Sequence, residues 1–411
     1  MSEMDCITQL GHWQGFKVVL AERRPKESPA EGEEIWIELV ADPDTPLRCD
    51  VCEQPVEKVH DIDRRWVQDL PAWGAETLLL VHQCRVKCPR CGVQRQQIDW
   101  LDRYARVTRP LARSVARLCE VLPIKHVAEH FGLKWDTVKR LHKKHLAETL
   151  GPIDLHDVSV IAIDEFALKK GHHYATVIVE PALREVLWVG HGRGAEDIRP
   201  FFELLGEQGR KELYAVAMDM HAPFEKEVRA QCPQAEIVYD LFHVAAKYGR
   251  EVVDRVRIEQ AEKAKADRSD YRMIKGSKWL LLRNRESIEK REDRVKLKDL
   301  LDANEALATV YVLKDDLKRL WDYSYEGAAR TCWEGWFARA MQSGIEPLMT
   351  FARNLKKRLP GILAHCRWPL HTSVLEGINN KIKVIKRMAY GFRDDDYFFL
   401  RIRAAFPGKC G

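Results

Sequence analysis

The chain has 411 residues, 45% of them hydrophobic, with 67 Lys and Arg against 62 Asp and Glu for a net charge of +5. That length exceeds one ordinary core and predicts about two to four domains. No apolar run approaches the roughly 18 residues of a membrane span, and the polar, acidic first ten residues lack the pattern of a secretory signal, so a soluble cytoplasmic protein with no membrane partner is expected.

The charge is unevenly spread. Acidic residues gather early, as at Glu31, Glu33 and Glu34; basic residues gather in 103–145 and after Glu376. Clustered positive charge suits a polyanion, although any single run also reads as a solvated helix face. Eleven cysteines in so long a chain do not make a disulfide scaffold.

In chain order, Val18-Val19-Leu20 and Ile35 to Val40 read as strands separated by a Pro- and Glu-rich turn at 25–34. Two Cys-x-x-Cys pairs follow, Cys49-Asp50-Val51-Cys52 and Cys88-Pro89-Arg90-Cys91, with a strand expected from Ala75 to Cys84. Four thiolates suit a closed, structural tetrahedral Zn²⁺ site. His82 and Cys84 are spare candidate ligands, and the alternative is two unrelated Cys pairs in a reducing cytosol.

Thr108 followed by Arg109-Pro110 signals a helix start, and Leu111, Val115, Leu118 and Leu122 recur at helical spacing. After Pro123 a short helix, a turn at Gly132 and a second helix are expected. Val127, Ala128, Phe131, Val138 and Leu141 would pack the pair. Lys134, Trp135, Thr137, Lys139 and Arg140 then remain for phosphates and base edges, as in a helix-turn-helix. A plain helical hairpin is the competing reading.

From Val158 the texture turns to β. Strands are expected at Val158–Asp164, Tyr174–Glu180, Glu185–Gly190, Leu213–Met218 and Glu236–Tyr239, with helices at 196–208 and 222–231. Three strands in series, then alternation with helices, predict a mixed α/β sheet. Residues 244–365 read as helical throughout, an insertion of about 120 residues. A last helix, 374–389, would return to the sheet.

Acids punctuate this region. Asp164 and Asp219 each end an apolar strand, a costly position for a carboxylate unless it is paired or binds metal. A turn or helix cap is the ordinary use of one such Asp, and Asp219 is open to it. On the last helix, Ile378, Ile382, Ile385 and Ala389 form one stripe; Glu376, Asn380, Lys383 and Arg387 form another. Three carboxylates suit two divalent ions that activate a water or a DNA 3′-hydroxyl and stabilise the leaving oxygen, while nearby cations neutralise phosphates.

Together these motifs resemble the ISL3 family of insertion-sequence transposases over nearly the whole chain. The resemblance rests on Ile163-Asp164-Glu165-Phe166, Asp219-Met220-x-x-Pro223-Phe224, Asp240-Leu241-Phe242-His243-Val244 and Glu376-Gly377-Ile378-Asn379-Asn380-Lys381-Ile382-Lys383. It implies an RNase H-like catalytic domain split by the helical insertion, and a DDE triad of Asp164, Asp219 and Glu376 served by Mg²⁺ or Mn²⁺. It implies cleavage and strand transfer of DNA, with terminal inverted repeats and target DNA as partners and a dimer or larger oligomer at synapsis. Asp240 competes with Asp219 as the middle acid. Asp219 is preferred, with Asp240, His243 and Asn380 in support. The expected divisions are a zinc module (1–105), a helix-turn-helix (106–152), a first catalytic part (153–244), the insertion (245–365) and a second catalytic part (366–411). A DNA-binding regulator without catalysis is the alternative reading, and a plain nuclease a weaker one.

Overall fold

The structure, a computed structural model, describes residues 3–26, 32–169, 171–370 and 373–408. The chain forms two compact units. The first comprises Met1–Gly151 with Lys386–Leu400; the second comprises Pro152–Ile385 with Arg401–Gly411.

The first unit opens with α1 (Glu3–Leu10), β1 (Phe16–Pro25) and β2 (Glu33–Ala41). Two long strands, β3 (Val59–Ala72) and β4 (Ala75–Cys88), form a hairpin, and β5 (Gly92–Arg95) adds to β4. The sheet order is β1-β2-β4-β3, with β2 and β4 parallel. Period-two burial is plain in β4, where Ala75, Thr77, Leu79 and Val81 face inward. Ala75, Leu79 and Val81 pack with Phe16, Ile37, Leu39 and Trp100. Sequence reading missed β3, because Asp61, Asp63, Arg64 and Arg65 obscure its alternation. Its pairing with β4 from Val59↔Val86 to Ala72↔Ala75 makes it a strand. α1 was missed as well.

Three helices follow: α2 (Arg109–Val121), α3 (Ile124–Phe131) and α4 (Trp135–Leu150). Thr108 caps α2 as expected, its hydroxyl accepting the Leu111 N–H. Gly132 ends α3 at φ 63°, a left-handed position that favours glycine. Leu111, Val115, Val127, Phe131 and Val138 fill the core between the helices. The distant segment Lys386–Leu400 completes this unit. Its Tyr397 hydroxyl lies 2.7 Å from the fully buried His142 Nδ1 on α4.

The second unit is built on β6 (Val160–Lys169), β7 (His173–Glu180), β8 (Glu185–His191), β9 (Ala215–Met218) and β10 (Glu236–Tyr239). Their order is β10-β9-β6-β7-β8. The first three strands run as an antiparallel meander; β9 and β10 run parallel to β6. The crossovers are α5 (Ala195–Glu212) and α6 (Ala222–Gln231). A parallel pair needs such a crossover, which is why helix signals separate only the later strands.

After β10 the described residues up to Cys366 hold helices and no strand, beginning with α7 (Leu241–Tyr248). Tyr248, Trp333, Trp336 and Phe351 pack edge to face there. They belong to one hydrophobic cluster with Ile161, Ile163 and Met218 of the sheet, so the helical insertion shares the sheet's core. Lys314 is buried in this region. Its ammonium donates to the carbonyls of Leu281 and Arg283 at 2.8 and 2.6 Å and lies 3.9 Å over the Tyr311 ring. The last long helix spans Ser373–Met388, with Ile378, Ile382 and Ile385 buried as the stripe predicted.

Candidate active site and metal centre

The parallel part of the second sheet sets a row of acids. β6 pairs with β9 up to Ile163↔Met218, and β10 pairs with β9 up to Tyr239↔Met218. The next residue on each of these three strands is an aspartate: Asp164, Asp219 and Asp240. Neighbouring strands lie about 4.8 Å apart. Along the sheet Asp219 therefore follows the strand next to that of Asp164, and Asp240 follows the strand beyond, although the Asp240 charge also acts on Asp164. One expectation needs amending. Asp164 does not end its strand, because β6 runs on to Lys169 against β7. What ends at Ile163 is the pairing with β9, and that break opens the Asp164 position.

The three aspartates have different surroundings. Asp164 is half-buried. Its Oδ1 accepts the Glu165 N–H at 2.7 Å and its Oδ2 accepts the Asn379 amide at 2.5 Å. Burial pushes its carboxyl up to about 6, against the pull of the Glu165 N–H and the charge of His243. Asp219 is half-buried and accepts the Met220 N–H at 2.6 Å. It caps no helix, because His221 occupies the N-cap of α6.

Asp240 is 4% exposed. It caps α7 by accepting the Phe242 N–H at 2.7 Å and lies 3.0 Å from His243 Nδ1. The ordinary capping use of a strand-end Asp thus falls to Asp240. His243 is pushed up to about 9, first by its bond to Asp240 and then, against burial, by the charges of Asp219, Asp240 and Asp164.

The Ser373–Met388 helix brings an amide to this row. Asn379 reaches Asp164; Asn380, the residue expected to support the site, is exposed and accepts from Lys383 at 3.5 Å. The helical stripe put Asn380 on the polar face, but the side chain between the two stripes makes the contact. Glu376 is exposed and stands one turn before Asn379, on the same side of the helix. Lys383 and Arg387 are exposed. Among the described residues these acids do not come within 4.8 Å of one another as a set of three.

Sequence reading also missed Arg193. It follows β8 between Gly192 and Gly194, bonds Glu165 Oε1 at 3.0 Å and stacks 4.0 Å over Tyr174. Glu165 also lies 4.0 Å from His221 Nε2. A lone cation between two glycines at a strand–helix junction was the only signal for it.

The four predicted cysteines do converge. The sulfurs of Cys49, Cys52, Cys88 and Cys91 all lie within 4.8 Å of one another, with Cys52 and Cys88 3.6 Å apart. Tetrahedral bonds of about 2.3 Å would separate such sulfurs by about 3.8 Å. The Cys91 N–H pulls the Cys88 thiol down to about 7, while the adjacent Cys52 pushes Cys91 up to about 12. Four thiols this close cannot all ionise without a cation, so the donor set fits one. Cys84 is buried beside the cluster, and His82 instead bonds Glu38 at 2.6 Å; neither spare ligand is in the set.

On α4, Lys134, Trp135 and Arg140 are exposed and Thr137 is half-buried. Lys139 differs from them: its ammonium lies 2.8 Å from Asp394.

A helix-turn-helix and a row of acids where parallel pairing stops on a mixed sheet suit a DNA-transposing protein, and the comparisons agree. Residues 161–402 match a family described as transposase, and residues 96–146 match the helix-turn-helix domain of transposase family ISL3. The chain belongs to the ISL3 family of transposases. It is 48% identical over 411 residues, the full length of both chains, to the transposase for insertion sequence element IS1001 of Bordetella parapertussis. It is 26% identical over 344 residues, 78% of this chain and 77% of the relative, to the transposase for insertion sequence element IS1557 of Mycobacterium tuberculosis. Membership implies DNA binding and use of divalent metal. Among the described residues no helix is long and apolar enough to cross a membrane.

Proposed function

We propose that this transposase works as a DDE enzyme on an RNase H-like sheet, with Asp164, Asp219 and Glu376 as its acids. The observation that carries the reading is the register: Asp164 and Asp219 each follow the last rung, Ile163↔Met218, of a parallel pair. Oxygen-only donors suit Mg²⁺ or Mn²⁺, which would supply activation of the attacking hydroxyl and stabilisation of the leaving oxygen.

The chain's own residues do the rest. The Glu165 N–H and Asn379 orient Asp164. Asp240, occupied as a helix cap, holds His243 as a charge facing the site. Glu376 projects from the helix that Asn379 ties to β6. Lys383 and Arg387 offer charge to the DNA backbone. The cysteine cluster would hold a structural Zn²⁺. Lys134, Trp135, Thr137 and Arg140 would read the terminal inverted repeats, and a dimer or larger assembly would hold two ends together. The zinc module then spans 1–105, the helix-turn-helix 106–152, and the catalytic parts 153–244 and 366–411 flank the insertion. Lys386–Leu400 is the exception, since it packs with the first unit.

The test is Mg²⁺-dependent cleavage of element-end DNA by Asp164→Asn, Asp219→Asn, Glu376→Gln and Asp240→Asn variants. The first three lose about 10²–10³-fold in rate, the order expected for removing charge stabilisation at the reacting phosphate. Asp240→Asn retains measurable activity. Activity in Asp219→Asn with none in Asp240→Asn would transfer the middle role to Asp240.

A further inference from the structure

Asn379 and Asn380 are adjacent on one helix and differ in everything except composition. Asn380 is exposed. Asn379 is half-buried and donates Nδ2–H to Asp164 Oδ2 at 2.5 Å. The other oxygen of the same carboxylate accepts the Glu165 N–H at 2.7 Å. Asp164 is therefore held at both oxygens, and each oxygen keeps a lone pair for another partner. A carboxylate fixed at two points cannot turn about its Cβ–Cγ bond, so those free lone pairs have fixed directions.

The acceptor end of Asn379 shows a different side of the arrangement. Its Oδ1 is buried and finds no donor among the described residues. An amide kept for folding alone would satisfy both ends. This one satisfies only the end that meets Asp164. The same bond ties the helix that carries Glu376 to the end of the β6–β9 pairing.

We infer that Asn379 is a positioning residue: it orients the Asp164 carboxylate for a divalent cation and sets the Glu376 helix against β6. The inference rests on the reading of Asp164 as a metal-binding acid. Outer contacts of this kind change metal affinity or activity by about 10–100-fold when removed.

The test uses the full chain with its cysteine site loaded. Mn²⁺ binding is followed by the spin-resonance signal of the free ion, beside the Mn²⁺ dependence of end cleavage, for Asn379→Leu, Asn379→Ala, Asn380→Ala and Asp164→Asn. Leucine matches asparagine in shape, and Oδ1 has no partner to strand, so Asn379→Leu keeps the packing while deleting the donor. Both Asn379 variants should bind Mn²⁺ about 10–100-fold more weakly and regain cleavage as Mn²⁺ is raised; Asn380→Ala should match the parent. Unchanged Mn²⁺ affinity in a folded Asn379→Leu chain, with binding lost in Asp164→Asn, overturns the positioning role alone. Unchanged affinity in Asp164→Asn overturns the metal reading of Asp164 and the inference with it.

Discussion

Lys139 on α4 lies 2.8 Å from the carboxylate of Asp394, and Lys143, one turn on, reaches the same carboxylate at 3.1 Å. Lys139, expected at DNA phosphates, thus also pairs with a segment from the far end of the chain, and that segment packs within the same unit.

Asp394→Ala removes both ion pairs and the Tyr397 N–H acceptor. The pairs are partly exposed, so solvent screening limits the loss to about 1–2 kcal/mol. Burial alone would raise the Asp394 carboxyl; the bonds from Lys139, the Tyr397 N–H and Lys143 outweigh it and hold it at about 2. A carboxyl lowered on folding stabilises above its unfolded value of 3.8, and that contribution fades as pH falls toward 2. Denaturant melts from pH 5 to 2 should show the gap between parent and Asp394→Asn closing with acid. A gap independent of pH would refute the assignment.

Arg140 and Lys139 should separate in DNA binding. Arg140→Ala should weaken binding to end DNA and reduce the salt slope by about one. Lys139→Ala should lower thermal stability and leave the slope nearly unchanged. Titrations at several salt concentrations decide between them, and equal slope losses would return Lys139 to the phosphate contacts.

Replacing Cys49 or Cys88 by Ser should abolish bound zinc, measured by metal analysis of purified protein, and destabilise the β4–β5 end of the first sheet. Both residues are buried among the cluster's sulfurs. Structural zinc sites contribute folding energy directly, so chelation of the parent should mimic the substitution. Equal zinc content in parent and variant would exclude this site.

Lys314 gives a pH signature of the same sign in an alkaline window. Burial pushes its amine down to about 8, with Asp315 opposing, from an ordinary 10.5. A base lowered on folding binds fewer protons in the folded state across that window. Stability therefore rises as pH increases from about 8 to 10.5. Lys314→Met should flatten that rise while freeing the carbonyls of Leu281 and Arg283. Chemical denaturation at pH 7, 8.5 and 10 measures it, and an unchanged slope in the variant would show that another group titrates.

Much of this protein was written in local pattern. Strands β6 to β10, the crossover helices, the Thr108 cap, the Gly132 turn and the four-cysteine set were legible, because period, caps and Cys spacing are properties of neighbouring residues. Strand β3 was not, since its charged side chains pair with β4 and not with a core. The acids were visible as carboxylates after apolar runs, and Asp219 was preferred to Asp240 because its run is the stronger one and lies next to the first hairpin in chain order. What the sequence could not supply is the strand order: β9 lies beside β6, and β10 lies beyond it. Likewise the Asn379 contact with Asp164 and the Lys139 pair with Asp394 arise only where distant segments meet. Periodicity assigns a face to a residue, but the partner on that face is chosen by chain crossings hundreds of residues long. The row of Asp164, Asp219 and Asp240 was thus present as three separate residues in the sequence, and tertiary structure gave each its own neighbours and hence its own chemistry.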